Sequence, residues 1–305
     1  MENRREFLFL YDGYWANPNG DPLDENKPRI DEETGLNYVT DVRLKRTIRD
    51  QLSDMGFEVF LVEERKDGDK LKTREELFQK YQKGYEEILD KCIDIRLFGG
   101  TFSIENNTKS FTGPVQFKFG RSLHRVKLEL VKGTTILPSK KENKQGTFTE
   151  MYVLPYFLIV FYGIANENAA KLTRLKDEDI NAMLRAMWIG HKSSTDLISR
   201  SKFGHEPRLL IEIIYKKNTQ TQMGELDKLV RIKTDKKDEE IRDIEEVTID
   251  LSKLKEKVEK YKNKIEKVRY IIGDRVKLNE SLEEVFKDIP LEEFEWAKDG
   301  YDGNN

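Results

Sequence analysis

The stretch "TDVRLKRTIRD", residues 40–50, decides how the first half of the chain is read. At 3.6 residues per turn, Leu44, Ile48, Leu52 and Met55 fall on one side of a helix. Lys45, Arg46 and Arg49 fall together on another side, with Arg43 near its edge. The spacing predicts a helix from about Thr40 to Asp54, stopped by Gly56. The plainest account of the basic side is a solvated face paired with Asp41 and Asp50. A polar loop, "NPNGDPLDENKP" (17–28), runs straight into this helix. Loops of that kind often carry function, which argues for more than a solvated face.

Outward from the helix, "EFLFLYDGY" (6–14) has the β-branched and aromatic character of a strand. Residues 75–90 look helical and charged, and "CIDIRLFGGTF" (92–102) reads as a short strand ending in a paired-glycine turn. From Val115 to Glu129 apolar and basic residues interleave, and a polar, basic stretch follows. "VLPYFLIVFYGIA" (153–165) is then a buried strand, so the region reads as a long hairpin with a projecting basic tip. "LTRLKDEDINAMLRAMW" (172–188) predicts one helix, and "RLLIEIIYK" (208–216) another buried strand. Strand and helix, a large insertion, then helix and strand suit an α+β fold with a ferredoxin-like or RRM-like sheet. Leu251, Leu254, Val258, Tyr261, Ile265 and Val268 keep a heptad-like spacing, which predicts an amphipathic helix packed on that sheet.

Composition narrows the class. The 305 residues carry a net charge of -3 and ordinary apolar content, as in a soluble globular protein. Cys92 is the single cysteine, so no intramolecular disulfide forms and a cytoplasmic setting is expected. The short apolar run at the N-terminus predicts neither signal peptide nor membrane anchor. Residues 280–305 contain nine acidic residues and two lysines, a charge of -7 that leaves +4 on residues 1–279. An acidic tail thus masks a mildly basic body, and a surface patch, not the total, governs nucleic-acid affinity.

Several chemistries are excluded. His124, His191 and His205 are scattered and Cys92 stands alone, so a zinc site is not expected. "KGTTILPSKK" (132–141) lacks the Walker A spacing, and there is no G-x-S-x-G elbow. Asp21, Asp24 and Asp31 share a loop, where turn formation is their plainer role. His124, in a basic hairpin, is a candidate general base for RNA cleavage, with a phosphate or packing contact favoured over it.

Seven segments, in order, resemble the backbone subunit of the type I CRISPR effector complex, Cascade, most closely its subtype I-B form, in the RAMP superfamily. They are "NPNGDP" (17–22), "PRIDEETG" (28–35), "VTDVRLKRTIRD" (39–50), "DIRLFGGTF" (94–102), "TGPVQF" (112–117), "SRSKFG" (199–204) and "PRLLIEIIY" (207–215). The resemblance implies a modified RRM-like palm (1–54, 94–121 and 151–279), a finger insertion (55–93), a thumb hairpin (122–150) and the acidic tail (280–305). It implies a non-catalytic protein that polymerises along CRISPR RNA and presents it for pairing with target DNA in antiviral defence. The expected partners are neighbouring copies of itself, a five-prime-handle subunit, a large subunit, small subunits and the RNA-processing endoribonuclease. No cofactor or metal is implied.

The RNA contacts so implied are Asn17, Asn19, Arg29, Arg43, Lys45, Arg46, Arg49, Gln116, Arg200, Ser201 and Lys202, with Lys132, Lys140, Lys141 and Lys144 in the thumb. A carrier of many guides must grip phosphates and leave the bases alone, which Lys and Arg do without sequence preference. Two alternatives remain at this point. One is a RAMP-superfamily ribonuclease using His124, Asp21 or Asp24; the other is a monomeric RRM-like RNA-binding module.

Overall fold

The computed structural model describes residues 1–66, 70–104, 107–134, 148–193, 197, 199 and 201–298. The chain begins with β1 (Arg5–Ala16), followed by the polar loop, β2 (Leu36–Val39) and helix α1 (Asp41–Asp54). Thr40 caps α1 by accepting from the Arg43 amide, and Leu44, Ile48 and Leu52 are buried. Next come α2 (Ile93–Phe98), β3 (Gly99–Ile104), β4 (Asn107–Thr112), β5 (Val115–Phe117), β6 (Gly120–Arg125) and β7 (Glu129–Thr134). Then follow the 18-residue strand β8 (Phe148–Ala165), α3 (Glu167–Thr173), α4 (Asp177–Ser193) and β9 (His205–Tyr215). The last third adds α5 (Ser252–Tyr261), β10 (Ile265–Ile272) and β11 (Leu291–Glu293).

The result is a mixed α+β fold around a central sheet of order β11-β10-β9-β1-β8-β6-β2, with β5 and β7 also paired to β8. β1 lies antiparallel between β8 and β9, with Phe9 opposite both Phe161 and Leu210. Alternate residues of β1 therefore enter different cores. Phe7, Phe9 and Tyr11 meet Phe157, Phe161, Ile48 and Trp188 on the face that α1 and α4 cover. Leu8 and Leu10 meet Leu158, Val160, Ile211, Leu254 and Phe286 on the face that the C-terminal third covers. Each fully buried side chain of this size contributes about 1.5–3 kcal/mol. At the α1–α4 crossing a Cβ on Gly190 would lie 3.1 Å from Gln51 Cβ, so glycine eases the close approach of the two helices.

Buried charge ties the ends of the chain to the sheet. Glu6, fully buried, accepts from the Tyr162 and Tyr215 hydroxyls and from the Met223 and Gly224 amides. Those four donors replace its hydration shell and hold the segment after β9 against the sheet. Asp12, paired with Arg208 of β9 and accepting from Tyr156 of β8, ties β1 to both neighbouring strands near its other end. A satellite core of Phe60, Leu77, Tyr81, Ile88, Leu89, Cys92, Ile95 and Phe102 lies under residues 59–102.

Four expectations need correction. Residues 93–98, read as strand, are the helix α2, and the strand starts only at Gly99, whose φ of +70° ends the helix. Residues 172–188, read as one helix, belong to two, because Arg174 turns left-handed at φ 62° and α4 starts afresh at Asp177. The heptad-like run 251–268 is helix only to Tyr261, and Ile265 and Val268 lie on β10, inside the back core. The acidic segment is part of the fold as far as residue 298: Leu282, Val285, Phe286, Ile289 and Phe294 are buried, and β11 pairs in parallel with β10.

Within residues 122–150, β6 belongs to the central sheet, pairing with β8 and β2. The two-stranded projection is Glu129–Thr134 against Phe148–Val153.

Candidate nucleic-acid interface

The polar loop, the N-terminus of α1, Ser199 and residues 201–203 converge on one end of the sheet. Asn17 is buried; its amide nitrogen Nδ2 donates to the Asn26 carbonyl at 2.7 Å, and its backbone N–H donates to the Ser201 carbonyl. Asn19 Oδ1 accepts from the Thr40 amide (2.9 Å) and hydroxyl (3.1 Å), fixing the loop to the helix cap. Arg29 holds Asp21 at 2.9 Å. An open groove of about 340 Å3 results, lined by Asn17, Glu25, Asn26, Glu150, Met151, Tyr152, Ser199 and Ser201, with Lys27 above the Tyr152 ring. The distal end of β8 forms one wall, so the groove lies at the base of the β7–β8 projection. Lys202 is half-buried beside it, and Arg200 falls outside the described residues.

The helix itself is divided. Arg43 points inward, lining a narrow cavity with Tyr11, Pro18, His191, Leu197 and His205. Lys45 reaches Asp41 at 2.9 Å and Gln116 at 3.4 Å. Arg46 pairs with Asp50 and Glu63. Arg49 pairs at 3.0 Å with Asp94, which is fully buried and also accepts from the Phe60 and Leu61 amides. Arg46 is the most open of these three, with its side chain 39% exposed against 12% for Lys45 and Arg49. Asp41 and Asp50 are thus the in-chain partners that the plain reading of the basic face required. The structure brings Asn17, Asn19 and Ser201 together and leads Arg46 and Arg49 away toward the satellite core. Lys132 is exposed on β7 and pairs with Glu150, whereas Lys140, Lys141 and Lys144 fall outside the described residues.

The catalytic candidates are poorly placed. His124 is 2% exposed, stacks on Tyr156 and hydrogen-bonds through Nδ1 to the Arg125 carbonyl. Burial leaves it no open path to a substrate and also holds its pKa below the usual histidine value. Asp21 and Asp24 are held by Arg29 and Lys27. Among the described residues no cluster of three or more His, Cys, Asp or Glu is placed to hold a metal.

Sequence reasoning missed a set of exposed aromatics at this end. Tyr14, Trp15 and Phe203 are 57%, 44% and 68% exposed, and Trp15 adopts a left-handed φ of 47°. A strained non-glycine residue beside a polar loop is a common mark of a binding site. The signal available was Phe203 inside "SRSKFG"; Tyr14 read only as the end of a strand, and Trp15 fell between that strand and the loop.

Comparison with solved structures places the fold. A chain of a "CRISPR RNA-guided surveillance complex" superposes with a TM-score of 0.56 at 15% identity, covering 92% of each chain. One of a "CRISPR RNA-guided surveillance complex, pre-nicking" gives 0.53 at 11% identity, covering 91% of this chain and 96% of that one. The architecture is therefore one found in RNA-guided CRISPR complexes. The sequence is more specific: the profile of the family "CRISPR-associated protein Cas7" matches residues 3–252. A "CRISPR-associated protein Cas7" of Haloferax volcanii is 32% identical over 304 residues, covering 89% of this chain and 87% of its own. The chain belongs to the Cas7 family.

Proposed function

We propose that this chain is the non-catalytic guide-RNA-binding backbone subunit of a type I CRISPR interference complex, of subtype I-B. It polymerises along CRISPR RNA and presents it to target DNA in antiviral defence. The observation that carries the reading is the convergence of residues 17–29, the cap of α1, Ser199 and residues 201–203 at the base of a two-stranded projection, in a Cas7-family chain. The strand order β9-β1-β8-β6, with α1 and α4 on one face, supports a ferredoxin-like palm. The β7–β8 ladder supports a thumb, and the satellite core under residues 59–102 supports a finger.

Lysines and arginines near the groove grip phosphates, and Tyr14, Trp15 and Phe203 offer faces to unstacked bases, a sequence-tolerant combination. The partners are the guide, target DNA through it, further copies of the chain, and the handle, large, small and endoribonuclease subunits of one complex. A cytoplasmic location fits this assignment; no described helix is long and apolar enough to cross a membrane. The burial of His124 weighs against the ribonuclease alternative.

Co-expression with a CRISPR array and the partner subunits tests the proposal. The expected product is a discrete RNA bearing several copies of this chain. Recovery of the chain as an RNA-free monomer, or of cleaved RNA whose cleavage stops with His124→Ala, would overturn it.

A further inference from the structure

The back face of the sheet carries a second basic groove, which meets the end of the polar loop only at Tyr38, whose amide donates to the Arg29 carbonyl. Arg121 on β6 lies opposite Val160 of β8, a back-core residue, and opposite Tyr38 of β2. Tyr38 is stacked on Phe119, with centroids 6.4 Å apart and planes inclined by only 6°. Phe119 is 57% exposed, so its outer face is open. Beside the pair runs an open groove of about 460 Å3, lined by Arg121, Leu123, Lys228, Val230, Arg231 and Ile232. Next to Lys228 in the chain is buried Asp227, whose Oδ2 is shared at 3.8 Å by Lys118 and Arg121. Lys228 pairs with exposed Glu225, a contact of little strength in water. Lys118, Arg121, Lys228 and Arg231 outnumber Asp227, Glu225 and Asp250, the last opposite Arg231 in its ladder, so the groove keeps a net positive charge.

An exposed aromatic face flanked by cations is what a single-stranded polynucleotide needs: a base stacks while its phosphates meet Lys and Arg. An acidic peptide would use the cations but would leave the flat Phe119 face unused. We propose that this groove binds a single-stranded nucleic-acid segment, with one base stacked on Phe119 and adjacent phosphates on Arg121 and Arg231. Two sources supply that chemistry: the strand displaced from a target duplex, or a further stretch of the guide. The proposal stands whether or not α1 and the polar loop bind the guide.

The test uses the full chain, alone and loaded on guide RNA, with a labelled non-complementary single-stranded DNA about twenty nucleotides long. Iodouracil placed in the DNA in one arm and in the guide in the other reports which strand crosslinks to Phe119 or Tyr38. Either crosslink supports the proposal and identifies the source. Phe119→Ala and Arg231→Glu are expected to weaken capture of that strand roughly tenfold each, and Phe119→Trp to retain it. Where the DNA is the strand that crosslinks, guide loading, read by copies of chain per RNA, stays unchanged in all three. Crosslinks from neither strand, or equal capture by Phe119→Ala, would overturn the proposal. So would displacement of the DNA by a poly-glutamate peptide of equal charge that does not depend on Phe119, since the groove would then be a protein-docking surface.

Discussion

Arg46 and Arg49 lie three residues apart on α1, and their surroundings give them different work. Arg49 reaches the fully buried Asp94, so its removal strands a carboxylate with two backbone donors and no cation. Arg49→Ala is expected to cost about 3 kcal/mol in urea denaturation. Arg46, more open and paired with Asp50 and Glu63, should cost about 1 kcal/mol or less as Arg46→Ala. Replacing the basic residues of this helix together therefore does not leave the fold untouched, although the apolar face is unchanged. Arg46→Ala is the cleaner probe of RNA binding: it should lower the slope of log affinity against log salt by roughly 0.7 for a single strand.

A pH dependence belongs to the same scale. His191 donates to the Met187 carbonyl between Phe9 and Tyr11, and burial, with Arg43 nearby, pushes its pKa down to about 4. Below pH ~6.5 the unfolded chain binds a proton that the folded ring refuses, so stability is full above that value and falls toward pH 4. The loss for His191 amounts to about 3 kcal/mol across the window. Burial of His205 and His124 acts in the same sense. Asp12, raised by burial to about 6, opposes them by holding its proton longer when folded. Three histidines against one aspartate predict a net loss of stability from pH 6.5 to 4.5. The denaturation midpoint should fall with acidification, and His191→Phe should flatten that slope whatever its own stability.

At the scale of elements, the sequence is legible where a pattern is long and is settled by one partner surface. The α1 helix shows its face at 3.6-residue spacing, and the runs 6–14, 153–165 and 208–216 are apolar because both faces are covered. Short elements escaped. The α2 segment contains Ile93 and Ile95, whose branched side chains favour a strand by propensity, yet packing into two cores selects a helix. The evenly spaced apolar residues from 251 to 268 conceal a change of element because helix and strand both turn them toward one core. The acidic count of residues 280–298 drew attention from its apolar positions, which are the informative ones. Phe294 is 1% exposed, stacked on Trp296 at 4.9 Å and covered by Arg269 at 5.0 Å. Phe294→Ala should cost about 3–5 kcal/mol in equilibrium denaturation, as for a core aromatic. A loss below 1 kcal/mol would show that β11 and its acidic surround do not support the sheet.

For the whole molecule, the site was legible as segments and not as a surface. Residues 17–29 and 201–203 are far apart in sequence and meet only because β1 and β9 are neighbours in the sheet. No periodicity encodes that adjacency, and none could reveal that Arg49 spends its charge on Asp94. The projection raises the same question of assembly. Among the described residues β7 pairs only with β8, along Glu129–Thr134 against Phe148–Val153, and Leu128 and Leu130 remain 36% and 40% exposed. Apolar area left open on a two-stranded ladder gains little from the chain's own core. A neighbouring copy on the same RNA would cover it, so the ladder's contribution should appear on assembly and not in the monomer. Replacing residues 132–146 with a short Gly-Ser turn is expected to leave the melting temperature of the isolated chain within a few degrees of the parent. The same variant should form shorter assemblies on guide RNA and lose the periodic protection of the guide from nuclease. Normal assembly length and protection in the shortened chain would show that the projection is not a thumb. A large fall in the monomer's melting temperature would show that it supports its own domain instead.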